Sequence, residues 1–234
     1  MLQDAVLDFD TLAWAAICFY YTSVGDKKYG KIMSDTSFIS QLREAPINIS
    51  YEDFEQKLIL DYVNIESYDL LIRYNFSRNV LGKIIELQPL ISSLQNLSIL
   101  QCDLSDSDVA ERINRVYMGL SGIYGLWTTG ATKILHVLND RLFPILDQEI
   151  SSHYMLVDSD AKLLEWMKLV QQHAQEVTKD FLEKGYSTSP EAFLSQKLWY
   201  TDHGYEKSLV KFIDEYFFLL IVYNLPVPPT WFPS

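Results

Sequence analysis

Glycine and proline are scarce in this chain of 234 residues, at 9 and 8, which leaves little room for a turn-dense β-protein. Cysteine is scarcer. Cys18 and Cys102 lie far apart and match no metal-ligand spacing. Cys18 sits in the apolar run Ala15-Ala16-Ile17-Cys18-Phe19, where a thiol serves as a small buried hydrophobe. His136, His153, His173 and His203 form no His-x3-His or His-Glu-x2-His pattern, so no zinc site and no other cofactor is expected.

Positive charge is also in deficit. Lys and Arg number 19 against 31 Asp and Glu, a net charge of −12. The excess is spread along the chain, 10 against 17 over residues 1–118 and 9 against 14 over 119–234. Nucleic-acid binders usually carry a basic footprint, because phosphate neutralisation supplies much of their affinity. This balance argues against tight non-specific binding of DNA or RNA and leaves only a local face for such contact. Long apolar runs are missing as well: Tyr216 to Tyr223 is too short to span a bilayer. The N-terminal stretch has no basic segment and is interrupted by Asp4, Asp8 and Asp10, unlike a signal peptide. The expectation is a cytoplasmic protein without membrane contact.

What is abundant is apolar and aromatic. Hydrophobic residues make up 48% and aromatics 14%, with 15 Tyr and 12 Phe, enough for a real core in one large domain or two small lobes. The periodicity is helical throughout. Residues 8–23 read as a nearly all-apolar helix, capped by Asp10 and stopped at Gly25, and therefore buried on most sides. Asp26 to Gly30 reads as a charged connection, and Asp35 or Thr36 opens a short helix ending near Pro46. Ser50-Tyr-Glu-Asp53 resembles a capping box. Helices are expected over 67–74 and 77–95, with Pro89 kinking or breaking the second. Asn96 to Asp103 is a connection, or an edge strand at most. Ser105 or Ser107 caps a helix with Val109, Ile113, Val116, Tyr117 and Leu120 on one stripe. Later helices are expected over 148–156, from Ser159 or Asp160 to Lys184, from Ser189-Pro190 to about Tyr200, and over 205–223. The prolines from Pro226 onward give an extended tail. The fold class is all-α, one unit with two candidate lobes, one of about 50–157 and one of 1–49 with 158–234.

The stretch Gly119 to Asp147 stands apart. Gly122 and Gly125 suit the left-handed end of one helix, and Gly130 the turn into the next, about 130–139. On that helix Ile134, Leu135, Val137 and Leu138 face the core, and Thr132, Lys133, His136 and Asp140 the opposite side. The amides of Thr128 to Ala131 then lie at a helix N-terminus, which binds anions such as phosphate without a basic side chain. A short connection through Pro144 ends in Asp147. Trp127 at the hairpin tip is placed to wedge against or stack on a base. The bland readings stand beside these: Asp147 as a helix cap, Lys133 and His136 as a solvated face, and Trp127 packed beneath the hairpin.

Helix, glycine hairpin, apolar helix and a Pro-preceded aspartate resemble the helix-hairpin-helix (HhH-GPD) DNA glycosylase superfamily over residues 107–157. The resemblance implies an all-α bilobal fold in which hairpin amides, with Trp127, Thr128, Thr129, Gly130, Thr132 and His136 around them, meet DNA. It implies that Asp147 is the catalytic carboxylate, stabilising positive charge at the sugar anomeric carbon. Thr128 stands where a first hairpin glycine is usual, and Gly130 matches the second. The family's lysine position falls on Thr132, with Lys133 one residue and about 100° of helix rotation later. That implies a monofunctional glycosylase, with Lys133 retained as a catalytic candidate. The cluster cysteines of some members are absent. Gln148-Glu149 replaces the commoner residues after the aspartate. The other expectation is a non-catalytic descendant of that fold, binding a protein or a small ligand, which suits the acidity better.

Overall fold

The computed structural model describes residues 7–64, 70–156 and 162–225, excluding the side chains of 24, 25 and 70–74. Every regular element among them is helical. Helix α1 (Phe9–Thr22) is capped by Asp8 and not by Asp10: the Asp8 carboxylate accepts the Thr11 amide at 2.8 Å. Two further orphan amides near its start are taken by α9 (Lys162–Glu183). Leu7 N donates to Glu176 at 3.3 Å and Phe9 N to Asp180 at 2.9 Å. These long-range caps tie the start of the chain to a helix some 170 residues away.

The expected charged connection after α1 is a helix, α2 (Val24–Met33), capped by Ser23. One capping serine outweighs the single Gly25 that was read as a stop. Helix α3 (Thr36–Glu44) starts at Asp35 and α4 (Tyr51–Asp53) at Ser50, both as expected from their caps. Helix α4 continues as a π-helix, Phe54–Val63, closed by Asn64 in the left-handed region at φ 65°. Ten residues of π geometry are rare, and such turns tend to occur at functional sites.

Helix α5 (Leu70–Leu94) is one element where two were expected, and it runs through Pro89. Residues 67–69 of that expectation lie outside the described residues. Asp106 caps α6 (Ser107–Ser121), and the stripe Val109, Ile113, Val116, Tyr117, Leu120 is buried. Residues 96–103 form turns, with no strand. The hairpin leads into α7 (Trp127–Leu138), and Asp147 opens α8 (Gln148–His153). The expected caps Ser159 and Asp160, and the proline-rich tail from Pro226, lie outside the described residues. Ser189 and Pro190 start α10 (Pro190–Lys197), and Ser208 starts α11 (Leu209–Ile221).

Helices α1, α9, α10 and α11 pack together, and α5, α6 and α7 pack in sequence. Helix α3 packs on α7 and α5, and α2 on the π-helix. Helices α2 and α3 also pack on each other. Helix α11 is the centre: ten of its residues are buried, among them Lys211, Asp214 and Glu215. No described helix is long and apolar enough to cross a membrane.

Candidate functional site

The hairpin closes earlier than its glycines suggest. Gly125 takes the left-handed region at φ 92° and Trp127 follows at φ 52°, so α7 is under way by Trp127. Gly130 is therefore inside α7 and not in the turn. A Cβ there would come within 2.8 Å of Leu126 Cδ1 and 3.4 Å of Val63 Cγ1, so its role is close packing against the π-helix. A bulky residue at positive φ stores about 1–3 kcal/mol of strain. Trp127 carries that strain while 66% exposed, with Tyr124 beside it at 6.1 Å between ring centroids. It does not pack beneath the hairpin.

Helix α7 has no opposite solvated face. Thr132 and His136 are fully buried and Asp140 nearly so, which corrects the reading that set them outward. The reason is that α7 lies among α3, α6 and the π-helix, so both of its sides meet protein. Thr132 and His136, one turn apart, instead grip the connection that ends in Asp147. His136 Nδ1 donates to Phe143 O at 2.6 Å, and Thr132 Oγ1 accepts the Leu146 amide at 3.0 Å. From α9, Trp166 Nε1 donates to Ile145 O at 3.1 Å. Phe143 O, Ile145 O and the Leu146 amide are thus held by three buried side chains, and Asp147 follows Leu146. Burial depresses the His136 pKa. With Nδ1 protonated, its Nε2 is an acceptor, and it is buried without a partner.

Asp147 has two roles. Its Oδ1 accepts the Glu149 amide at 3.1 Å, which caps α8. It also lines a cleft of about 380 Å³ together with Lys133, Lys211, Asp214, Tyr29 and Tyr62. Phe19 and Phe218 add to the aromatic wall, and Lys28 and Asn64 stand among the lining residues. Burial, then the neighbouring Glu149 carboxyl, pushes the Asp147 pKa up to about 6. Burial, with the Lys211 ammonium, pushes Lys133 below the ordinary lysine value, and Asp147 opposes that shift. Lys133 Nζ makes only a long hydrogen bond, to Val63 O at 3.4 Å. The Tyr62 hydroxyl is buried and unpartnered. Among the sequence candidates, the cleft brings together Asp147 and Lys133.

The other candidates form a separate surface. Trp127, Thr128 and Thr129 line a shallow groove of about 290 Å³ with Gln148, Ser151, Ser152 and Lys162. The N-terminal residues of α7 thus share this groove with α8 and a lysine. Thr128 Oγ1 lies 3.1 Å from the Tyr117 hydroxyl.

Sequence reasoning missed Tyr29, Tyr62, Lys211 and Asp214. They come from α2, the π-helix and α11, and no local spacing joins those segments. The one available signal was Lys211 and Asp214 within an otherwise apolar helix, where charges are buried only if paired. They are paired at 2.7 Å. Behind them, fully buried Lys207 Nζ meets Glu215 at 2.9 Å, Asp26 at 2.5 Å and the Tyr200 hydroxyl at 2.7 Å. Burial, against the pull of Lys207, raises Glu215 to about 7. Among the described residues, no cluster of three or more His, Cys, Asp or Glu could hold a metal ion. No protein-family model, curated protein or solved structure matches the chain.

Proposed function

We propose that this chain is a divergent glycosylase of the helix-hairpin-helix type, taking a damaged or modified base into the cleft and cleaving its N-glycosidic bond. The observation that carries the reading is the Asp147 carboxyl, held by a braced connection and opening into an aromatic-walled cleft beside Lys133. A cleft of about 380 Å³ lies within the usual size of a small-molecule site. The lining includes the aromatic side chains of Phe19, Tyr62, Phe218 and Tyr223, which suit a planar guest. As the bond to the base breaks, positive charge grows on the anomeric carbon. A preorganised carboxylate stabilises that charge more than it stabilises the neutral ground state. Water then adds to the sugar carbon, and its proton passes to the departing base or to solvent.

With a pKa of about 6, Asp147 is mostly ionised at neutral pH, as this role requires. Lys133 is a second polar group in the cleft whose ammonium balances the carboxylate. The groove at Trp127, Thr128 and Thr129 supplies α7 amides for a DNA phosphate and an exposed ring for the base stack. The second reading, a non-catalytic module that binds a protein or small ligand, is favoured by the net charge of −12.

The test is a panel of duplexes, each carrying one damaged or modified base, incubated at low salt with wild type, Asp147→Asn and Trp127→Ala. The glycosylase reading expects base release by wild type, none by Asp147→Asn with binding retained, and weakened binding by Trp127→Ala. Absence of both binding and release across the panel overturns it in favour of the module.

A further inference from the structure

The largest of the described cavities lies on the other side of α2 from the Asp147 cleft and has no part in the reading above. It is an open cleft of about 580 Å³ lined by Tyr20, Tyr21, Tyr200 and Tyr205 with Lys27, Lys31 and His203. The rings are set edge to face. Tyr20 meets Tyr21 at 5.2 Å and 87°, and meets Tyr200 at 5.5 Å and 83°. Tyr200 and Tyr205 are 5.5 Å apart at 51°. Tyr21 is 71% exposed, so its ring is not part of the core. Gly30 lines the same cavity, and a Cβ there would lie 2.7 Å from the Tyr205 hydroxyl. The absence of a side chain lets that tyrosine close against α2.

The electrostatics favour an anion at the mouth. Asp26 lines the cavity, but it is buried and neutralised by Lys207, and its second oxygen accepts the Tyr200 hydroxyl at 2.7 Å. It presents no free carboxylate to a guest. Lys27, by contrast, is exposed and has no ion-pair partner among the described residues. Lys31 is bound to Asp61 at 2.6 Å but is itself 72% exposed. The exposed ring of Tyr21 and the half-buried ring of Tyr205, with cations in the same lining, fit a ring that carries a phosphate. Tyrosine faces stack on any base, because every base has a π-surface. The volume falls within the range of about 300–1,000 Å³ usual for small-molecule sites.

We propose that this tyrosine-lined cavity is a nucleotide-binding site, taking a base between Tyr21 and Tyr205 with its phosphate on Lys27, Lys31 and His203. The nucleotide is either free or a unit of a single strand, and the chemistry of recognition is the same for both.

The test uses the full chain and follows tyrosine resonances by NMR during titration with adenosine monophosphate, adenosine, inorganic phosphate and the trinucleotide of deoxyadenosine. The expected result is saturable binding of the monophosphate, with adenosine and phosphate each at least about tenfold weaker. Tyr21→Ala removes one stacking face and lowers affinity by about tenfold, and Lys27→Ala lowers it by a similar factor. Both residues are exposed, so the variants fold. Asp147→Asn leaves the affinity unchanged, which separates this site from the cleft and from the glycosylase reading. A trinucleotide tighter than the monophosphate identifies a strand as the source, and the reverse identifies the free nucleotide. Absence of saturable binding by both at millimolar concentration, or affinities unaltered in Tyr21→Ala, overturns the proposal.

Discussion

Replacing Asp147 by asparagine should make the protein more stable above neutral pH. Burial lifts the carboxyl from its ordinary value of 3.8 to about 6. At about 1.4 kcal/mol per tenfold change in proton affinity, the ionised form is disfavoured in the folded chain by about 3 kcal/mol. The group opens to solvent on one side, and screening reduces this to about 1–2 kcal/mol. The folded chain holds the proton to higher pH than the unfolded chain does. The stability tied to protonated Asp147 is therefore complete below about pH 4 and is lost as pH rises through about 6. Asparagine mimics the protonated state at every pH and keeps the α8 cap. The variant should thus match wild type near pH 4 and exceed it above pH 7 by about 1–2 kcal/mol. For a chain of this size that is about 2–8 °C in melting temperature. Thermal melts followed by circular dichroism at pH 5 and pH 8 measure it. A variant no more stable than wild type at pH 8, or a gap that does not widen between the two pH values, refutes the reasoning.

Other perturbations act on named contacts. Thr132→Val removes the acceptor of the buried Leu146 amide and should lower stability by about 1–3 kcal/mol. It should also speed hydrogen exchange at Leu146, and unchanged protection there would remove Thr132 from the brace. Lys207→Met leaves Asp26 and Glu215 without their shared cation and should cost about 3–5 kcal/mol, read from a urea midpoint. A shift below about 1 kcal/mol would mean that the buried acids are protonated when the lysine is lost. In a lysine-selective NMR titration Lys133 should titrate below its ordinary 10.5, and lower still in Asp147→Asn, where the carboxylate favouring its charged form is gone. Titration at or above 10.5 would contradict the burial of its amine.

Much of the fold was legible because helix caps and apolar stripes are local. Ser50, Ser189 with Pro190, and the α6 stripe each act within a few residues, and each stands where expected. The errors also have local causes. A lone Gly25 signals a stop, yet the Ser23 cap carries the chain into α2, and α5 runs for 25 residues through Pro89. In α7, glycine was read as a turn signal at Gly130, where it is a contact residue, and the helix begins three residues earlier. The periodicity of α7 was assumed to imply one wet face. A helix enclosed on both sides keeps no such face, and polar Thr132 and His136 are then spent on backbone groups of the next segment. Asp147 was legible as a cap, and it is at once a cap and a wall of the cleft. The rest of that wall was not legible. Tyr29, Tyr62, Lys211 and Asp214 meet only because α2, the π-helix and α11 converge in space.

The central claim is that Asp147 acts as a carboxylate on a base held in the cleft. Its most direct test is the rate of base release against pH, for wild type and Asp147→Asn, across the panel of modified duplexes. The account expects release by wild type that rises with pH through about 6, as the carboxylate ionises. It expects no release by Asp147→Asn at any pH. Equal rates for the two proteins, or a wild-type rate that falls as pH rises through 6, would contradict it.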